Sequence, residues 1–195
     1  MTSDRGRERP ISLMYHGLGE FARALGASLR DDPQLHTRIE NDLEIALHGE
    51  DGSATLVAAS WRPEGTFFSR VEESCRAVRR RWLPVVFRGT SIQVGPLVVP
   101  DVSPCYACFA AREAVRGPLG PRGALVRDAY DEDPDFGVRG YAAIHVTAAR
   151  AMIKTALRNS PGVGITLHLL EERLESTHAV TITGCPRCGY IRGQA

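Results

Sequence analysis

Four of the five cysteines fall into two Cys-x-x-Cys pairs, Cys105-Tyr106-Ala107-Cys108 and Cys185-Pro186-Arg187-Cys188. Two thiolates at this spacing can face one ion from a single tight turn, and two such turns complete a tetrahedral shell of four sulfurs. That shell suits Zn²⁺, a borderline-soft ion with no redox chemistry of its own. Pro104 precedes the first pair, and Pro186 and Gly189 belong to the second; both residue types bend a backbone into a ligating knuckle. Two disulfides or four free thiols are the alternatives, and the paired spacing favours metal. With Cys105, Cys108, Cys185 and Cys188 filling every position, no site is left for water. The ion is therefore expected to be structural, clipping a mid-chain segment to the C-terminal end.

Other chemistry is sparse. The histidines at 16, 36, 48, 145, 168 and 178 make no His-x-Glu-x-x-His grouping and no pair four residues apart. His145 reads as a satisfied core group. There is no Gly-x-Ser-x-Gly elbow and no Walker loop, so nucleophile, base and oxyanion donors are nowhere supplied together. Cys75 lies on a helical apolar stripe and reads as core. Gly17-Leu18-Gly19 stands where a strand gives way to a helix, but Glu20 and Phe21 follow and no third glycine comes until Gly26. Such a turn is weak evidence for a nucleotide loop, and Glu20 would put negative charge beside a bound phosphate. Gly17 and Gly19 are thus expected to be a vestigial turn, with ATP not bound.

The elements that must position these residues alternate strand and helix. Ile11–Tyr15 reads as a strand, followed by a helix with Phe21, Leu25 and Leu29 on one face. Residues 33–48 are ambiguous, with a strand at Leu43–Leu47. Ala54–Ser60 reads as a buried strand. The clearest helix carries Phe68, Val71, Cys75, Val78 and Trp82, closed by Arg79, Arg80 and Arg81 where cations suit the C-terminal dipole. Strands follow at Leu83–Phe87 and Ser91–Val99, then a helix from Cys105 to Val115. Residues 116–139 read as a mobile loop. A second long helix, Tyr141–Arg158, aligns Ile144, Ala148, Met152 and Ala156 and is alanine-rich enough to pack closely on another helix, including one of a second subunit. Two strands, Ile165–Leu170 and Ala179–Thr183, lead into the second knuckle. The expected architecture is α/β: a doubly wound sheet, with a flexible N-terminus at 1–10 and a single domain over 11–195.

The chain has 195 residues, 24 Lys+Arg against 23 Asp+Glu, and 43% hydrophobic residues. So balanced a charge gives no bulk attraction to nucleic acid or an anionic membrane. A charged N-terminus without an apolar run behind it, and no stretch near the ~20 apolar residues of a membrane span, read as cytoplasmic.

The order of parts resembles the ThiF-like family, relatives of the ubiquitin-activating and molybdopterin-synthase-activating enzymes. It is most similar to the subgroup serving azole-forming peptide synthetases of the microcin type. Members carry Gly-Pro-Leu-x-x-Pro-Gly-x-x-x-Cys-x-x-Cys, here Gly95-Pro96-Leu97-Val98-Val99-Pro100-Asp101 and on to Cys105 and Cys108, and often end in Pro-x-Cys-x-x-Cys or similar, here Gly184 and then Cys185 to Cys188. The resemblance covers most of residues 11–190 and is specific over Gly95–Arg112 and the terminal knuckle. It implies a reduced Rossmann-like fold with zinc on the four cysteines. It also implies a scaffold role beside a YcaO-type cyclodehydratase acting on a precursor peptide, with an FMN dehydrogenase and a leader-binding protein as further partners. A homodimer or hetero-complex is expected. The usual N-terminal leader-binding module is expected to be absent or supplied by a partner. The alternative is a compact ATP-dependent adenylyltransferase acting on a peptide or carrier-protein C-terminus, with Gly17, Gly19 and Arg23 around the nucleotide.

Overall fold

A computed structural model describes residues 10–48, 52–116, 122–133, 136–137 and 139–188. The N-terminus expected to be flexible lies, except for Pro10, outside the described residues. One seven-stranded sheet runs in the order β2-β1-β3-β4-β5-β6-β7. Strands β1 (Ile11–Leu18), β2 (Leu35–Ile39), β3 (Thr55–Ser60) and β4 (Trp82–Phe87) are mutually parallel. Strands β5 (Ser91–Val94), β6 (Val163–His168) and β7 (Arg173–His178) continue the sheet antiparallel.

Alternation within the parallel strands sorts side chains onto two faces. Leu13, Tyr15, Val57, Ala59, Leu83 and Val85 face helices α1 (Gly19–Arg30) and α6 (Ala143–Arg158). Met14, Leu56, Ala58, Trp82 and Val86 face α2 (Leu43–His48) and α3 (Gly65–Ala77). Helices thus cover both faces of the parallel half, the α/β architecture expected. Among the described residues, no helix is long and apolar enough to cross a membrane.

Several elements depart from expectation for identifiable reasons. Leu43–Leu47 is helical. Asp42 accepts a hydrogen bond from the Glu44 N–H at 2.8 Å, and Leu43, Ala46 and Leu47 are buried while Ile45 is 56% exposed. Helix α3 stops at Ala77 because Arg79 adopts φ +56°, and the Arg80 N–H turns back to the Cys75 carbonyl. Trp82 therefore opens β4, and the arginine triplet lies beyond the helix without presenting a common face. Arg79 is exposed on Asp101, whereas Arg80 is buried. Strand β5 ends at Val94, since Gly95 (φ +93°) and Pro96 break the ladder before Val98 bridges back to Trp82. Within 116–139, Arg122–Glu132 forms helix α5. The strand expected at Ile165–Leu170 is β6, shifted two residues to Val163–His168, whereas the last strand is β7 and not Ala179–Thr183. Strand β7 is exposed along nearly its whole length, so no apolar pattern marks it.

Helix α6 starts at Ala143 and buries Val146, Ala149, Met152, Ile153, Ala156 and Leu157, leaving Ile144 67% exposed. Its small residues pack on α1 within the same chain. Asp32, just past α1 and 5% exposed, accepts from the Gln34 N–H at 2.9 Å and from Lys154 Nζ at 3.0 Å, with Arg150 at 3.7 Å. Desolvation would raise its carboxyl, but the Gln34 N–H and the two cations outweigh it and hold the group below the usual range. A lowered folded-state value stabilises the fold above the unfolded value, about pH 4, and loses that contribution as pH falls through the lower folded one. Asp32→Asn is expected to cost about 2 kcal/mol at neutral pH. It should also flatten the acid limb of stability measured by denaturant unfolding against pH.

Candidate metal centre and the switch-point crevice

The first knuckle enters helix α4 (Tyr106–Arg116), with Cys105 just before it and Cys108 in its first turn. The second is a turn in which the Cys185 N–H donates to the Ile182 carbonyl at 3.0 Å. Although 80 residues apart in sequence, the knuckles meet: Cys105 Sγ lies 3.7 Å from Cys185 Sγ, and Cys108 Sγ lies 3.5 Å from Cys188 Sγ. All four sulfurs fall within 4.8 Å of one another. A tetrahedron with metal–sulfur bonds of about 2.3 Å has edges of about 3.8 Å, whereas a disulfide would bring two sulfurs to about 2.05 Å. All four cysteines are free thiols, three buried and Cys185 partly so. The donor set and the spacing therefore fit a divalent ion.

The Ile182 N–H donates to Cys108 Sγ at 3.3 Å. Burial pushes the Cys105 thiol up and raises Cys108 to about 11. Cys185 comes down to about 7: its own desolvation opposes this, but the N–H groups of Cys188 and Arg187 favour the thiolate. An ion entering the shell must displace protons, so affinity falls with falling pH. Cys75, fully buried and pushed up to about 12 by desolvation, lies elsewhere as core.

Gly17 and Gly19 end β1 and open α1. A Cβ on Gly17 would meet Ala22 Cβ at 2.8 Å. Gly19 has φ +84°, and a Cβ there would lie 2.2 Å from Cδ1 of Trp61, the residue just after β3. Gly137 packs on the opposite end of the same indole, where a Cβ would be 3.3 Å from Cζ3. Trp61 is thus wedged at the point where the strand order reverses between β1 and β3, the place where open α/β sheets receive ligands. Beside it lies a cleft of about 240 Å³, whose lining includes Glu20, Phe21, Arg23, Phe87, Arg139 and Tyr141. Arg62, the residue after Trp61 and 4% exposed, ties the end of β3 to the segment after α5. Nη1 donates to the carbonyls of Asp133 and Phe136, Nη2 to that of Tyr130, and Nε to Glu64 at 2.8 Å.

This arrangement of sheet and helices recurs in solved structures. A heterocyclase solved in complex with substrate and cofactor superposes with TM-score 0.67 at 18% identity, covering 92% of this chain and 26% of that one. The heterocyclase TruD gives 0.62 at 16%, covering 92% and 28%. The E. coli microcin synthetase McbBCD complex gives 0.66 at 9%, covering 95% and 71%. E. coli MccB with AMPCPP and MccA gives 0.54 at 17%, covering 83% and 48%. The fold is ThiF-like. This chain spans about a quarter of the length of the two heterocyclases. No protein-family model matches the sequence, and no curated protein does.

Of the residues singled out in the sequence, the structure brings the four cysteines together and sets Gly17 and Gly19 where β1 passes into α1, with Gly19 lining the cleft. Sequence reasoning missed Arg62, Glu72 and Arg187, and read Trp61 as a core or interface anchor without placing it at the crevice. Glu72 was visible as a charge four residues after Phe68, on the edge of the buried stripe of α3. Arg187 was visible inside the motif itself.

Proposed function

We propose that this chain is a zinc-bearing, non-catalytic docking unit of a thiazole/oxazole-forming peptide synthetase, working in the cytoplasm beside a YcaO-type cyclodehydratase. An FMN dehydrogenase and a leader-binding protein are further partners, and the unit acts as a homodimer or in a hetero-complex. The reading rests on the fold's likeness to a heterocyclase and to a microcin synthetase complex, joined to the four-sulfur cluster. The single observation that separates it from an adenylating enzyme is Trp61 seated on Gly19, where a phosphate would approach the backbone.

In this role zinc fixes a surface, and the partner performs the ATP chemistry. Holding peptide and catalyst together raises their effective concentration. Strand β7 pairs only with β6 among the described residues, so its outer edge can accept an extended peptide by strand addition. The test is reconstitution of the cyclodehydratase, a synthetic precursor peptide and ATP, with and without this chain. Ring formation, read as loss of one water per azoline, is expected to accelerate about 100-fold at low peptide concentration. An unchanged rate with no co-elution of the proteins would refute the reading.

The adenylyltransferase reading draws on one observation, the cleft at the strand-order reversal in a fold shared with MccB solved with AMPCPP. Isothermal titration with ATP·Mg²⁺ and pyrophosphate exchange decide between the two. No heat and no exchange are expected; sub-millimolar binding would favour the enzyme.

A further inference from the structure

Helix α3 contributes no sulfur to the cluster, yet it touches both knuckles. Glu72, 3% exposed, accepts from the backbone N–H groups of Tyr106 and Ala107, the residues that follow Cys105 into α4. The same carboxylate receives Arg187 Nη1 at 2.7 Å, and Arg187 Nη2 reaches Glu73 at 2.8 Å. Arg187 lies between the two ligands of the second knuckle, so each knuckle is tied to one buried carboxylate by bonds that involve no sulfur. A small crevice of about 20 Å³, lined by Glu72, Arg76, Cys105, Arg187 and Cys188, brings the guanidinium beside the cluster.

Four thiolates around a divalent ion carry a doubly negative charge, and Glu72 adds a buried anion next to it. A carboxylate facing such a centre is repelled unless a cation stands nearby, and Arg187 is the cation bonded to it. The contact also fixes the turn that carries Cys185 and Cys188. Orientation of ligating groups by outer partners is a common source of metal affinity.

We infer that Glu72 and Arg187 form a clasp that docks the second knuckle on α3 without the ion, pre-placing Cys185 and Cys188, and that Arg187 offsets the charge of the filled centre. The inference rests on the four-sulfur metal reading. Arg187 is a positioning residue: its guanidinium touches Glu72 and Glu73, and not the ion.

The experiment titrates the full chain with Co²⁺, whose visible bands report tetrahedral thiolate coordination, and measures Zn²⁺ affinity by chelator competition. Arg187→Met is expected to keep the tetrahedral Co²⁺ spectrum while binding Zn²⁺ about 10–100-fold more weakly. Arg187→Lys, which keeps charge but loses the two-pronged contact, should fall between Arg187→Met and the unsubstituted protein. Glu72→Gln should also weaken binding, because the α4 N–H groups and Arg187 lose their shared carboxylate. If Arg187→Met does not fold, Arg187→Lys decides. Unchanged affinity in the folded variants overturns the clasp. Absence of thiolate bands in the unsubstituted protein overturns the metal reading, and the clasp with it.

Discussion

Cys185→Ser is expected to release the ion and lower the melting temperature by roughly 10–20 °C, corresponding to about 5 kcal/mol for a chain of this size. The reason lies in how little else holds residues 179–188. Only Thr181 and Cys188 are buried there. Among the described residues, the ties are the Ala179 N–H to the Gly162 carbonyl, Arg112 to the carbonyls of Val180 and Thr181, Ile182 to the Cys108 sulfur, and Arg187 on α3. Cys105, Cys108 and Cys188 form a small cluster of their own, separate from the two large cores on either side of the sheet. Loss of the ion should therefore loosen residues 179–186 around the sulfurs, leaving the Glu72–Arg187 contact as the tie to α3, while the parallel half of the sheet stays folded. Metal analysis alongside a thermal melt checks both parts. A variant that keeps one ion per chain and an unshifted melt would show that Cys185 is not a ligand.

Gly19→Ala is expected to cost about 2–4 kcal/mol, from left-handed backbone strain plus a methyl driven into the Trp61 indole. With Cδ1 only 2.2 Å from the added carbon, the ring cannot stay where it is. In a Trp61→Ala background the clash disappears, and Gly19→Ala should cost only the backbone share, about 1 kcal/mol. Denaturant unfolding of the two single variants and the double variant gives the coupling directly. Additive effects would mean that Trp61 does not occupy the Gly19 surface in solution. The same result would remove the main support for a non-catalytic role.

Much of the candidate site is legible in the sequence because ligand chemistry imposes a spacing that needs no tertiary knowledge. Cys105, Cys108, Cys185 and Cys188 announce a shell by their intervals, and the turn at Gly17 and Gly19 announces a strand passing into a helix. Trp61 and Arg62 carry no such mark. Their importance comes from partners 42 residues away for Gly19 on Trp61 (61 − 19) and 68 to 74 residues away for the carbonyls on Arg62, and neither periodicity nor propensity encodes those contacts. Leu43–Leu47 fits both an alternating and a helical template, and the Asp42 cap that decides between them is easily passed over. Strand β7 is a strand because β6 offers it a ladder; residues such as Glu175, Ser176 and Thr177 have no apolar face to declare. The stripe from Phe68 to Trp82 runs across a helix end because Arg79 takes a backbone conformation that arginine rarely adopts.

The cysteine pairs are joined across 80 residues, whereas β1 to β4 are linked by short strand–helix–strand crossovers. Bringing distant segments together carries a loop-closure cost that neighbouring elements largely avoid. The parallel half can thus assemble early, with the sulfurs converging only once β5 and β6 have paired. An ion captured by the four sulfurs would then seal a finished product, which places its expected influence on how slowly the chain comes apart more than on how quickly it forms.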